Sequence, residues 1–254
     1  MRRMRPLPDD GCGLRQVTAR VVVLFLVVGV LWPGDGMAQS VGEVTFCSAP
    51  RAERSLDPRG LQAVYCAGDP VSTPLHWAHV SARPVFYGAV PLAWAGAWVR
   101  GGDGTAAAYR LTLTQGATYG TVLALKHAVG RPRPYLSHPL TSRSAEYRRG
   151  KPDGYTSFPS GHAALSAALA TSWGLSYPRW YVVGPGAAWA LGVGLSRLHL
   201  GVHYPSDVLV GALLGMAVAG VVHQLRGALT PPRFQHAPGA ASAAPLPIGV
   251  EIQF

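Results

Sequence analysis

Three short segments of this 254-residue sequence concentrate groups suited to gripping an anion and moving a proton. The first runs from Lys126 to Pro134 and reads KHAVGRPRP. Lys126 ends an apolar run, and Arg133 follows seven positions later in a turn stiffened by Pro132 and Pro134. Proline cannot continue a helix, so Arg133 is held outside it. Taken alone, this Lys and Arg would be basic residues answering a helix dipole at its C-terminus. The second segment is Phe158-Pro159-Ser160-Gly161-His162, directly before an apolar stretch of helical length. Ser160 is suited to cap that helix, the free first-turn amides form an anion site, and Gly161 leaves the backbone open to close approach. His162 goes beyond an ordinary helix start, because an imidazole at an anion site is suited to proton transfer near neutral pH. The third segment, Ser196 to Asp207, reads SRLHLGVHYPSD. His203 precedes Pro205, and Asp207 lies four residues beyond His203 where the next helix is expected to begin, so its carboxylate can turn back to the imidazole. A carboxylate that holds one ring nitrogen fixes the tautomer and leaves the other nitrogen to attack; an isolated pair at this distance would be a structural hydrogen bond.

Together the segments hold three cations (Lys126, Arg133, Arg197), one hydroxyl (Ser160), helix N-terminal amides, two imidazoles and one carboxylate. Phosphoryl transfer needs this set: donors for the charged equatorial oxygens, an in-line nucleophile and an acid for the leaving oxygen. The remaining histidines, His76, His79, His127, His138, His199, His223 and His236, fall outside the pattern and are read as structural or solvent-facing.

The elements that must position these groups read as helices. Apolar stretches rich in Ala, Leu and Gly cover 84–99, 105–128, 162–177, 181–196 and 206–226, which predicts an all-α core. Between the second and third lies a loop, 130–159, carrying Arg131, Arg133, Arg143, Arg148, Arg149 and Lys151 with Tyr135, Tyr147 and Tyr155. A loop this long inside a compact domain is functional or disordered, and its two ends carry the motifs. With 48% hydrophobic and only 13% charged residues, the composition excludes a disordered tail protein and points to a buried or membrane-embedded helical core.

The first 38 residues read as an export signal, with five Arg ahead of the apolar run Val21 to Trp32 and small residues ending at Ala38; an uncleaved anchor is the alternative. Without them the chain loses five Arg and three Asp from totals of 22 basic and 12 acidic residues and keeps a net charge of +8. That balance suits an anionic substrate or membrane surface; nucleic acid is disfavoured, because no recognition motif accompanies the charge. Cys47 and Cys66 are then the only Cys pair, which suggests a disulfide in an oxidising compartment and offers no spacing for a metal site. Residues 39–83 read as an irregular extension stapled by that pair, and 229–254 as a Pro/Ala-rich tail. Leu246, Ile248, Val250, Ile252 and Phe254 alternate with a period of two, as in a short half-buried strand.

The ordered patterns K-x6-RP, PSGH and SR-x5-H-x3-D resemble the signature of the type 2 phosphatidic acid phosphatase superfamily, which also holds bacterial acid phosphatases and vanadium haloperoxidases. They stand here as Lys126…Arg133-Pro134, Pro159-Ser160-Gly161-His162 and Ser196-Arg197…His203…Asp207, without departure. The resemblance covers roughly residues 84–228. It implies a helical bundle of about five or six core helices with the motifs meeting at one end. It also implies a nucleophile at His203, oriented by Asp207, with His162 as general acid and Lys126, Arg133, Ser160, Gly161 and Arg197 on the phosphoryl oxygens, and no metal or other cofactor. The expectation is therefore a metal-independent phosphatase acting on a phosphate monoester or pyrophosphate, a lipid phosphate foremost, exported to the bacterial periplasm or to a membrane with its site facing the periplasm. A vanadate-dependent haloperoxidase and a non-catalytic phosphate-binding envelope protein are the alternatives; the shortness of the chain and the lack of an evident further helical domain favour the phosphatase over the former.

Overall fold

The computed structural model describes residues 41–50, 55–68, 71–100, 103–140, 143–144 and 154–234. The expected export segment 1–38, the period-two stretch 246–254, and Tyr147, Arg148, Arg149 and Lys151 of the charged loop lie outside the described residues. Within them the fold is all-α: α1 Val41–Ser48, α2 Leu56–Tyr65, α3 Ser72–Arg100, α4 Asp103–Val129, α5 Pro134–Ser137, α6 Gly161–Ser176, α7 Trp180–His199, α8 Pro205–Gln224 and α9 Arg226–Leu229, followed by a 3-10 turn at Pro232–Phe234.

The core is organised around α6, which packs against α8, α7 and α4. Its buried face is made of small side chains, Ala163, Ala164, Ser166, Ala167, Ala168, Ser172 and Gly174. The facing stripe of α8, Asp207, Gly211, Gly215, Ala219 and Val222, repeats at the helical period and is also mostly small. Two of its glycines are required by contact rather than by conformation. A Cβ on Gly211 would stand 2.5 Å from the Ser160 carbonyl oxygen, and one on Gly215 would stand 2.0 Å from that of Ala164. Backbone therefore touches backbone along this seam, and it fixes the start of α6, with His162, against the start of α8, with Asp207. A direct bond ties the two starts together, the Ser160 amide donating to the Asp207 carbonyl at 2.9 Å.

This seam makes a stability prediction. Gly215→Ala forces the two backbones apart and is expected to cost about 3 kcal/mol, the upper end for overpacking, or a fall in Tm of roughly 10 °C. Gly220→Ala in the same helix meets nothing within 4 Å and is expected to leave Tm unchanged or slightly raised. Equal melting of the two variants would contradict the seam.

The segment before the core is more regular than its sequence suggests. Residues 39–83 read as irregular, yet α1 and α2 form within them and α3 begins at Ser72. Pro84 looked like a helix start, whereas it and Pro91 both sit inside α3, where the helix runs through them despite the lost backbone bonds. Cys47 and Cys66 are bonded, joining α1 to the end of α2. Phe46, Leu61 and Tyr65 of this pair form a buried cluster with Tyr135, Leu140, Leu198, Val202 and Tyr204. Gln62 Nε2 lies 2.9–3.1 Å from the carbonyls of Phe46, Cys47 and Ala49, its two hydrogens shared among three acceptors at the end of α1. The extension thus packs directly beneath the turn that carries His203.

Candidate active site

His203 lies in the turn between α7 and α8, which opens at Gly201. Gly201 has φ +66°, and a Cβ there would stand 3.0 Å from Tyr65 Cε2, so both conformation and space call for glycine. The following Val202 is fully buried and anchors the turn in the core. The His203 ring is buried with Nδ1 3.7 Å from Asp207 Oδ2 and 3.5 Å from Ser157 Oγ. At 3.7 Å the contact to Asp207 is electrostatic rather than a formed hydrogen bond. Nδ1 is thereby turned to the carboxylate, which leaves Nε2 on the other side of the ring.

Asp207 is itself held rigidly. Oδ2 accepts from Ser157 Oγ at 2.6 Å and from the Tyr204 amide at 2.9 Å, and Oδ1 accepts from Arg131 Nη1 at 2.7 Å. Burial would raise its pKa, yet His203, Ser157 and the Tyr204 amide together keep it below the ordinary aspartate value. It is a carboxylate with fixed oxygens at neutral pH.

Two of the cations meet at one backbone carbonyl, that of Thr156. Lys126 Nζ donates to the Thr156 carbonyl at 2.6 Å, and Arg133 Nη2 approaches the same carbonyl at 3.3 Å. Arg133 is buried outside α4, as the flanking prolines predict, and its Nη1 donates to the Val202 carbonyl at 3.2 Å, one residue from His203. Arg197 is wholly buried in the last turns of α7 and donates through Nε and Nη2 to Ser196 Oγ at 3.1 and 2.8 Å. Gly161 brings the start of α6 against the same wall, since a Cβ there would lie 3.4 Å from Val122 Cγ1 and 3.9 Å from Lys126 Cε.

Ser160 occupies the N-cap position of α6 but does not cap it: its side chain makes no capping bond. The hydroxyl is buried with no hydrogen-bond partner among the described residues. A buried hydroxyl left unsatisfied costs about 1–3 kcal/mol, which a bound anion would relieve.

The two imidazoles share one electrostatic environment. Burial pushes His162 down to about 2, and the charges of Arg197, His203, His79 and Arg83 add to the effect. Burial likewise pushes His203 down to about 3, with Arg133 and Lys126 adding to it and Asp207 opposing. Both are therefore neutral near pH 7, and an anion seated among the cations would oppose the field on each. Phe86 of α3 packs edge-on against the His162 ring at 5.6 Å between centroids and helps keep water from it.

Residues 107–231 match the PAP2 superfamily family model. The chain carries a PAP2 superfamily core. Among curated relatives it is 37% identical over 91 residues to a lipid A 1-phosphatase of Rhizobium johnstonii, covering 36% of either chain. It is 35% identical over 111 residues to a decaprenylphosphoryl-5-phosphoribose phosphatase of Mycobacterium tuberculosis, covering 43% of this chain and 55% of that one. The chain thus spans about a third to a half of the length of these relatives. The crystal structure of Aquifex aeolicus LpxE shares the fold, with a TM-score of 0.53 at 22% identity over 68% of this chain and 97% of that one.

All eight residues singled out from the sequence, Lys126, Arg133, Ser160, Gly161, His162, Arg197, His203 and Asp207, fall inside the PAP2 core. The structure gathers them around the facing ends of α4, α6, α7 and α8. Four further residues join them that spacing alone did not single out. Ser157 and Arg131 bind Asp207. His79 of α3, expected to be structural or solvent-facing, places Nδ1 2.7 Å from Arg197 Nη2, and burial with the Arg197 charge pushes it down to about 3, so it accepts that bond as a neutral ring. Asp57 of α2 holds the other side of Arg131 at 2.7 Å. Ser157 and Arg131 sit within the charged loop, whose motif-bearing ends were the available signal; nothing in the sequence brings His79 or Asp57 to the PAP2 core.

Proposed function

We propose that this protein is a metal-independent phosphatase that hydrolyses a phosphate ester or pyrophosphate of a lipid through a phosphohistidine intermediate. The observation that carries the reading is a buried imidazole, His203, turned to the fixed Asp207 carboxylate, together with a half-buried one, His162, at the start of α6, both in the field of the cations Lys126, Arg133 and Arg197. His203 Nε2 attacks phosphorus while the bond to the leaving oxygen breaks, and His162 gives that oxygen its proton. Asp207 offsets the positive charge that the His203 ring gains on forming the P–N bond. Lys126, Arg133, Arg197, the Ser160 hydroxyl and the first amides of α6 take the equatorial oxygens. Water then attacks the phosphohistidine, His162 removes its proton as base, and inorganic phosphate leaves with His203 restored. Burial and the Arg197 charge keep His162 neutral near pH 7, so its charging is coupled to substrate: the negative phosphoryl group offsets Arg197 and raises the imidazole pKa.

A lipid substrate is supported by the outer surface. The helices expose Leu209, Leu213, Met216 and Val221 on α8, Leu191 on α7 and Leu92 on α3, with Trp98, Trp180 and Tyr181 at helix ends. Among the described residues α8 is the helix long and apolar enough to cross a membrane. The curated relatives are named as phosphatases of lipid A and of decaprenylphosphoryl-5-phosphoribose. The protein acts at a membrane, in the cell envelope outside the cytoplasm, where the Cys47–Cys66 bond persists.

Phosphate release from lipid phosphates and lipid pyrophosphates in mixed micelles, set beside water-soluble esters of the same headgroup, tests this directly. The lipid forms are expected to show kcat/KM higher by about tenfold or more, since remote apolar contacts supply binding energy. A chelator is expected to leave the rate unchanged and orthovanadate to block it. Loss of activity with the chelator would point to metal catalysis instead, and bromide oxidation with vanadate and peroxide in the absence of phosphate release would point to a haloperoxidase.

A further inference from the structure

We infer that the disulfide-stapled N-terminal pair α1–α2 is part of the catalytic apparatus, with Asp57 acting through Arg131 as a positioning residue for Asp207 and His203. The inference rests on the phosphatase reading for its kinetic test but lies outside the PAP2 core, which begins at residue 107.

Arg131 is clamped between two carboxylates. Nη2 donates to Asp57 Oδ2 at 2.7 Å, while Nη1 donates to Asp207 Oδ1 at 2.7 Å and to Ser206 Oγ at 2.7 Å. The guanidinium also lies over the Tyr204 ring, 4.4 Å from its centroid. Asp57 closes the ring of contacts from the other side, because Oδ1 accepts the Ser206 amide at 2.9 Å and Oδ2 accepts Ser206 Oγ at 2.6 Å. One carboxylate on α2 therefore fixes both the guanidinium that binds Asp207 and the backbone of the residue just before it.

The rest of α2 is docked so that Asp57 has little freedom. A Cβ on Gly60 would stand 2.8 Å from Pro205 Cγ, so α2 lies directly on the first residue of α8. Leu61 and Tyr65 are fully buried against the His203 turn, and the Cys47–Cys66 bond with the Gln62 contacts ties α1 across the far end.

The electrostatic consequence follows from sharing. A guanidinium between two carboxylates divides its attraction, so Asp207 keeps much of its negative charge for the His203 ring. Without Asp57 the full positive charge of Arg131 falls on Asp207 Oδ1, and the Ser206 amide loses its acceptor. Asp207 would then support the positive charge on His203 less well in the transition state, while the cations that hold ground-state phosphate, Lys126, Arg133 and Arg197, stay where they are. A positioning role therefore lowers kcat and spares KM.

Asp57→Asn keeps the shape and removes the charge. We expect kcat on a lipid phosphate to fall by about tenfold, with KM within about twofold, in line with the cost of losing an outer-shell partner. Asp57→Glu is expected to restore most of the loss. Binding of orthovanadate, which mimics the transition state by bonding to the nucleophile, is expected to weaken about tenfold in Asp57→Asn, while binding of inorganic phosphate is unchanged. If the asparagine variant does not fold, Arg131→Lys carries the same prediction, since a lysine keeps a cation but not the two-sided clamp. Wild-type kcat and vanadate affinity in these variants would overturn the inference. So would an activity loss that matches a smaller folded fraction, with the vanadate affinity of the folded protein unchanged. Vanadate and phosphate binding need no turnover, so a wild-type protein that hydrolyses no phosphate ester would sink the phosphatase reading and still leave this comparison decisive.

Discussion

His203→Ala is expected to lower phosphate release by on the order of 10⁴-fold or more, the scale seen when a covalent nucleophile is removed. No neighbouring group in the pocket can take its place. In the proposed mechanism Lys126, Arg133 and Arg197 hold oxygens and His162 handles the proton, while the Ser160 hydroxyl has no hydrogen-bond partner among the described residues to act as its base. The turn itself should survive the substitution, because its fold rests on Gly201 in the left-handed region, the buried Val202, and the Tyr204 amide on Asp207. Circular dichroism and Tm close to the wild type, with activity lost, are the expected pair of results. Turnover near the wild-type rate in this variant would remove the mechanism.

His162→Ala is expected to produce a different pattern, and the leaving group exposes it. General acid help is worth about 10²–10⁴-fold when the departing oxygen is a poor leaving group such as the alkoxide of a lipid. A nitrophenyl ester needs little protonation, so its first step should be nearly unaffected by the variant. Hydrolysis of the phosphohistidine still needs a base, so steady-state turnover falls for both substrates. Rapid mixing of His162→Ala with nitrophenyl phosphate should therefore show a burst of nitrophenolate equal to the enzyme present, followed by slow turnover. A lipid phosphate should show no burst. Equal losses in the first step for both leaving groups would place His162 in binding rather than in proton transfer.

Much of the site was legible because its parts are local. A serine and glycine ahead of a histidine at a helix start, an arginine locked between two prolines, and an aspartate one helical turn beyond a histidine each state their geometry within a few residues. Their order along the chain then allowed one pocket to be assembled. The helical core was equally legible from its apolar stretches, and the Cys47–Cys66 bond from the pairing of the only two cysteines beyond the first 38 residues.

Other parts were hidden for physical reasons. Asp57 reaches Ser206 across 149 positions and His79 reaches Arg197 across 118, and no spacing rule connects such pairs before the chain is folded. The extension lacked a clear helical period because its buried face serves the His203 turn rather than a helix of its own kind: Phe46, Leu61 and Tyr65 pack with Tyr135, Leu140, Leu198, Val202 and Tyr204. The start of α3 was masked by Pro84, which is usually a boundary and here is not. Ser160 looked like a cap from its position, yet tight packing of its backbone on Gly211 and Asp207 fixes the start of α6 without a side-chain bond, and the hydroxyl is left over.

The covalent step at His203 is best tested by quenching the enzyme in alkali within the first turnover on a substrate labelled in its phosphate, then mapping the labelled peptide. Phosphorus bonded to an imidazole nitrogen survives base and is lost in acid. The expected result is base-stable, acid-labile label on the peptide containing His203, strengthened when His162 is replaced by alanine and the nitrophenyl ester is used. Product formation at full rate with no label on that peptide, or label on another residue, would contradict attack by His203.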